Sequence, residues 1–198
     1  VPPFKNKWKG RMFMTFYERI KKILDGLSSP SAQELRNALE TLEIEYEELV
    51  PFLQTPEGQP YYRRLLYQND QVELLVMNWS DIECAPHDHG LSKGWIQVME
   101  GNSMNTVYKV EDGQLPKQLF DKIHHKGAFF FAPKYGVHKM KREGADSLVT
   151  LHLYSPPIQG MKVYDLKKCA ACIVSEDCGA WWPDHQRQKL KEITFEQD

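Results

Sequence analysis

Long apolar runs are missing from this sequence. The most continuous, Gly127 to Pro133 ("GAFFFAP"), is far shorter than the roughly 20 residues a helix needs to cross a bilayer, so no membrane span is expected. Neither sign of charge dominates: 25 Lys and Arg stand against 27 Asp and Glu, a formal charge of −2. No segment gathers basic residues densely enough to follow a phosphate backbone, so nucleic acid is not expected as a partner. Cysteine is scarce, with four in 198 residues and three of those crowded near the C-terminus. A dispersed disulfide framework is thereby excluded, and a reducing cytoplasm is the expected location. The opening "VPPFKNKWKGRMFMTFYERI" has basic residues but no apolar core before Glu18, so no secretory signal is expected. Residues before Met12 or Met14 are given no weight in the fold. Internal repeats and low-complexity segments are absent.

What is present is enough chain for one well-buried domain with an appendage. Phe13, Phe16, Tyr17, Ile20 and Leu24 recur at spacings of three and four, which predicts an amphipathic helix from about Phe13 to Leu24. "SAQE" offers Ser31 as N-cap with Glu34 three residues on, opening a second helix whose stripe is Leu35, Ala38, Leu39 and Leu42. Pro51, Pro56 and Pro60, with Gly58 among them, close this helical part. The period then becomes two. "RRLLY" (63–67) and "VELLVMNW" (72–79) form a hairpin around a polar turn, followed by strand candidates at 95–100, 104–110, 127–133, 136–140 and 147–154. Turn signals at Gly101, Asp112-Gly113 and Gly144 space them as in a sandwich or barrel. The expected architecture is mainly β: a helical cap and linker over 1–60, an antiparallel barrel over 61–165 and a cysteine-containing extension over 166–198, together one structural domain acting as a monomer.

One stretch stands out. In "APHDHGLSKGWIQVMEG" (85–101), His87 and His89 are separated by a single residue. A strand alternates its faces, so both imidazoles project to the same side and can converge on a metal. The spacing is similar to the first motif of the cupin superfamily: His-x-His, four residues, a position usually acidic, six residues, Gly. Gly127, Pro133 and His138 are similarly spaced to the second motif, and the strand pair that carries them is expected to close the small jelly-roll barrel opposite the first. The usually acidic position falls on Gly94, which cannot coordinate. The ligand set is then His87, His89 and His138, and three imidazoles leave positions open for a substrate to bind the metal directly. Ligand type alone allows iron, copper, zinc or nickel.

A cupin with this acid-free set resembles the thiol dioxygenases, and among them cysteine dioxygenase of the bacterial kind. "YYRRLLY" (61–67), "HDHGLSKGW" (87–95), "GVHKM" (136–140) and "LHLYSPP" (151–157) carry the resemblance, which spans roughly Met14 to Tyr164. It implies a mononuclear Fe(II) that oxidises L-cysteine with O2 to cysteine sulfinate. By position it implies that Arg63 holds the substrate carboxylate, a task its planar fork suits. Tyr154 would lie near that carboxylate and the incoming oxygen, His152 would orient Tyr154, Tyr61 and Met161 would line the substrate site, and Ser155-Pro156 would be cis. In the animal enzymes a cysteine at the position of Gly94 forms a thioether with the tyrosine; glycine has no sulfur, so Tyr154 stays unmodified.

Plainer readings stand beside these. Arg63 also reads as a strand-end surface arginine, and its role could slip to Arg64. Tyr154 and His152 also read as core residues with satisfied polar tips. His124 and His125 read as exposed loop residues, Cys84 as a small buried hydrophobe, Trp79 and Trp95 as packing residues. Cys169, Cys172 and Cys178 with His185 could hold a structural metal, form a reversible disulfide or remain thiols. The functional alternatives are a dioxygenase for 3-mercaptopropionate or another thiol, a non-catalytic metal-binding cupin, and a sugar isomerase or oxygenase, which normally keeps the carboxylate that Gly94 lacks.

Overall fold

The computed structural model describes residues 14–195; Phe13 and the residues before Met12 lie outside the described residues. Helix α1 (Phe16–Leu24) opens on Thr15 and helix α2 (Ala32–Leu42) on Ser31. Each is closed by a reciprocal pair of bonds with Glu18 or Glu34, the box that the "SAQE" spacing predicts. Their buried stripe of Ile20, Leu24, Leu35, Leu39 and Leu42 is what the three-four periodicity selects. A one-turn helix α3 (Tyr46–Leu49) follows, tied to α1 where Arg19 donates to both carboxylate oxygens of Glu48 at 2.7 Å.

Strands then run β1 (Tyr61–Gln68), β2 (Glu73–Trp79), β3 (His87–Asp88), β4 (Lys93–Glu100), β5 (Asn102–Lys109), β6 (Lys117–His125), β7 (Phe129–Ala132), β8 (Val137–Arg142), β9 (Val149–Ser155), β10 (Lys162–Asp165), β11 (Ala170–Val174) and β12 (Lys189–Thr194). They form two antiparallel sheets, ordered β1-β2-β9-β4-β7 and β12-β11-β10-β3-β8-β5-β6. The arrangement is mainly β and jelly-roll-like, with two antiparallel sheets facing each other. The helical stripe packs on the outer face of the five-stranded sheet, against Leu74, Val76, Leu151 and Leu153. Alternate residues Leu75, Met77, Ile96 and Val98 fill the space between the sheets. Covering on both sides explains why "VELLVMNW" reads as a continuous apolar run. Each leucine taken fully out of water there contributes about 1.5–3 kcal/mol.

Three expectations change. His87 on β3 pairs in register with His138 on β8, and β4 pairs with β7, so the two cupin motifs lie side by side rather than opposite. Strand β6 was not expected, because an edge strand bonded only to β5 has neither face fully covered and shows no clean alternation. His124 on this strand is buried, its ring stacked 4.2 Å from that of Phe130, so the loop reading fails for it; His125 is exposed but also lies in the strand. The C-terminal segment adds β11 and β12 to the edge of the seven-stranded sheet. Among the described residues no helix is long and apolar enough to cross a membrane.

Gly101 joins β4 to β5 at φ 74°, and a Cβ there would stand 2.2 Å from the Ser147 carbonyl oxygen. Both the left-handed backbone and the close approach require glycine. Gly101→Ala is expected to lower stability by about 1–3 kcal/mol, read as a drop in the thermal midpoint with the far-UV spectrum retained.

Candidate metal centre

His87 lies on β3, His89 follows the strand, and Asp88 between them turns to the other face, where it accepts the Gly90 N–H at 2.8 Å. His138 arrives from β8. The ligand atoms of His87, His89 and His138 lie within 4.8 Å of one another, and all three residues are buried. Each ring was placed by alternation within a strand or by register between strands. Their second nitrogens are partly committed: His87 Nδ1 donates to the Ala85 carbonyl at 2.9 Å and His138 Nδ1 to the Asn105 side-chain carbonyl at 2.9 Å. Those bonds set the tautomers and leave Nε2 of both rings as the lone-pair donors. His138 Nε2 and His89 Nδ1 are buried with no hydrogen-bond partner, the condition that a coordinated ion would relieve. Desolvation holds His87 down to about pH 4 and His89 and His138 well below the usual imidazole range. Neutral imidazole is the form that binds metal. The residues therefore fit a single divalent transition metal.

The facing sheet supplies a different chemistry. On β9, Thr150, His152 and Tyr154 point inward together. Trp79 Nε1 donates to Thr150 Oγ1 at 2.8 Å, Thr150 Oγ1 lies 2.7 Å from His152 Nε2, and His152 Nδ1 lies 3.0 Å from the Tyr154 hydroxyl. The indole N–H occupies one lone pair of the Thr150 oxygen, which keeps a second lone pair and its own proton for His152. His152 bridges Thr150 and Tyr154 and holds the tyrosine oxygen 3.5 Å from His89 Nε2. Burial pushes the His152 pKa down to about 3 and that of Tyr154 well above its usual value, so both stay neutral. Gly94 is the register partner of Tyr154. A Cβ at 94 would lie 2.3 Å from Tyr154 Cδ1 and 2.5 Å from the Leu153 oxygen; the missing side chain is what allows the ring to rest on β4.

Strand alternation also separates the adjacent arginines. Arg63 turns inward on β1, while Arg64 is exposed on the outer side. Arg63, Tyr61, Met161, His152 and Tyr154 all line the small cavity of about 20 Å3 onto which the three histidines face, room for about one ion or water. Arg63, Leu75, Ile158 and Met161 also border an outer cleft of about 270 Å3. Tyr61 lines the inner wall, but its hydroxyl accepts the Ala180 N–H at 2.8 Å. The Ser155-Pro156 bond is cis.

Several participants escaped sequence reasoning. Asn105 and Thr150 were visible only as polar residues at inward strand positions, and nothing in the spacing distinguished them from solvated ones. Glu73 is buried beside the outer cleft and accepts the Ile158 N–H at 2.9 Å; desolvation raises its pKa. The C-terminal cysteines do not gather with His185 into a metal-sized cluster: among the described residues the group of three or more such donors is the histidine one. Cys84, Cys172 and Cys178 are buried thiols, Cys84 packed beside His87 as expected of a small hydrophobe.

The sequence model of one family, cysteine dioxygenase type I, matches residues 10–167. The chain belongs to that family. Cysteine dioxygenase type 1 of Danio rerio is 22% identical over 145 residues, covering 69% of this chain and 71% of that protein; that of Mus musculus is 23% identical over 142 residues, covering 62% and 71%. Among solved structures, an uncharacterized conserved protein with a double-stranded β-helix domain from Klebsiella pneumoniae is 15% identical, with a TM-score of 0.47 over 57% of this chain and 85% of that one. An oxalate oxidase in complex with the substrate analogue glycolate is 15% identical, with a TM-score of 0.47 over 55% and 57%. Family membership supports a metal-dependent dioxygenase activity, for which the three histidines are the metal-sized donor group.

Asn105→Ala is expected to lower metal affinity by about 10–100-fold, because it frees the His138 ring; titration of the metal-free protein reads this directly. A second expectation concerns acid. His152 is held neutral to about pH 3 in the fold but takes up a proton near 6.5 when exposed. The unfolded chain binds that proton first, so this contribution is complete above 6.5 and declines as pH falls toward 3. Between those limits metal-free wild type should lose stability more steeply than His152→Gln, by about 1.4 kcal/mol per pH unit, in chemical denaturation.

Proposed function

We propose that this protein is an Fe(II)-dependent dioxygenase that converts L-cysteine and O2 into cysteine sulfinate. The observation that carries the reading is a shared chamber: Arg63 and the Tyr154 hydroxyl face the same cavity as the three neutral imidazoles. A carboxylate-gripping group, an oriented hydroxyl and a metal-sized donor set are the parts needed to hold an amino-acid thiol beside a metal. Iron bound by His87, His89 and His138 would supply the spin-allowed route between thiolate and dioxygen.

The chain's own residues do the rest. Arg63 binds the substrate carboxylate through its planar fork, which sets where the thiol lies. Tyr154, oriented by His152, presents its hydroxyl proton to the substrate and the oxygen beside it. Leu75, Met77, Ile158 and Met161 exclude water, which strengthens each of these polar contacts. In the net reaction sulfur gains both oxygen atoms and loses four electrons, dioxygen accepts those four, and the thiol proton leaves to solvent. A monomer suffices, since one chain builds the whole chamber. A reducing cytoplasm suits a substrate that must arrive as a free thiol.

Protein loaded anaerobically with Fe(II) should, on admission of oxygen, form cysteine sulfinate with one O2 consumed per product. Arg63→Gln should retain iron and lose cysteine turnover by about 10–100-fold. Preference for 3-mercaptopropionate by the wild type would keep the chemistry and the carboxylate grip of Arg63 and overturn cysteine as the substrate. No sulfinate from either thiol with iron bound would leave a metal-binding cupin.

A further inference from the structure

Beyond the segment matched by the family model, residues 175–181 run back across the mouth of the chamber. Three contacts tie them there. The Arg63 guanidinium donates through Nη2 to the Glu176 backbone carbonyl. The Ala180 N–H donates to the Tyr61 hydroxyl at 2.8 Å, and the Ala180 carbonyl accepts the Ala85 N–H at 2.8 Å. Tyr61 and Arg63 are successive inward residues of β1, so the segment engages both. The Trp181 ring packs edge-on against Tyr61 with centroids 5.4 Å apart, while Trp79 lies 4.8 Å away on the same ring. Glu176, Ser175 and Cys178 form one wall of the outer cleft whose other wall includes Arg63 and Glu73.

We propose that this segment is a strap that positions Arg63, and through it selects thiols that carry a carboxylate; the inference rests on the dioxygenase reading above. A guanidinium at a cavity mouth has several rotamers and a long stem, and ordering it costs conformational entropy. A backbone carbonyl holding one amino group sets the plane of the fork in advance and leaves its other edge for the ligand. Because that carbonyl belongs to the main chain, its position depends on how the strap is anchored rather than on the identity of residue 176. Ala180 and Trp181 are the anchor, and Tyr61 is what they hold. The signal was invisible in the sequence because a backbone acceptor has no residue type.

Gly179 offers the means to move the strap from a position outside the chamber lining: a Cβ there would lie 1.9 Å from the Trp181 ring. Gly179→Ala, and separately Trp181→Ala, are to be loaded anaerobically with Fe(II) and titrated calorimetrically with L-cysteine and with cysteamine, which has the thiol and amine but no carboxylate. The expectation is roughly tenfold weaker cysteine binding in both variants, with cysteamine binding and iron content unchanged. Equal losses for the two thiols, or cysteine binding equal to wild type in either variant, would overturn the strap. Should Gly179→Ala fail to fold, Trp181→Ala decides alone. Absence of cysteine binding by iron-loaded wild type would instead overturn the dioxygenase reading, and the strap with it.

Discussion

Three imidazoles must be brought within coordination distance in a place dry enough to keep them neutral, and much of the architecture answers to that requirement. Dryness comes from two facing sheets, and convergence from register: His87 and His138 are direct partners on neighbouring strands, with His89 two residues along from the first. Neutrality follows from burial, since a charged imidazole there would lose its hydration without gaining a counter-charge. The acid between the histidines does not help, because alternation sends Asp88 to the opposite face. The donor set is therefore free of protein negative charge, which leaves charge balance to the metal and to whatever anion it takes up.

The two sheets divide the work. The seven-stranded sheet carries the metal-sized donor group, and the five-stranded sheet carries Arg63, Tyr61, His152 and Tyr154. The helical cap packs on the back of the second sheet, so its apolar stripe supports β2 and β9 without touching the chamber. Rigidity at Thr150, His152 and Tyr154 then comes from both sides: leucines behind, and a chain of hydrogen bonds starting at Trp79 in front. Trp79 thus does more than pack. Its indole N–H anchors the Thr150 hydroxyl, and through it the His152 ring that holds the Tyr154 oxygen.

Gly94 shows how one absence can serve two ends. In the motif it marks a lost carboxylate ligand. In the fold it is the gap into which the Tyr154 ring settles, since any Cβ would overlap that ring. The same backbone-to-ring contact explains how an unmodified tyrosine can hold its place without a covalent partner.

Periodicity and spacing were enough for the capped helices, the first hairpin, the central strands and the histidine set, because each is a local rule of face, cap or turn. Arg63 was separable from Arg64 only once β1 had a partner and an inside. The edge strand β6 was hidden because its burial is partial, and the side-by-side placement of the two motifs because strand order is a non-local choice that spacing does not encode. Asn105, Thr150 and Glu73 looked like any polar strand residue; what marks them is the neighbour across the sheet. The backbone groups of Glu176 and Ala180 carry no residue signature at all. By itself, then, the sequence determined which side chains could do the chemistry and which of them share a face of one element. Only the tertiary structure decided which of them meet and which nitrogen of each ring is free, because those depend on pairing between segments distant in the chain.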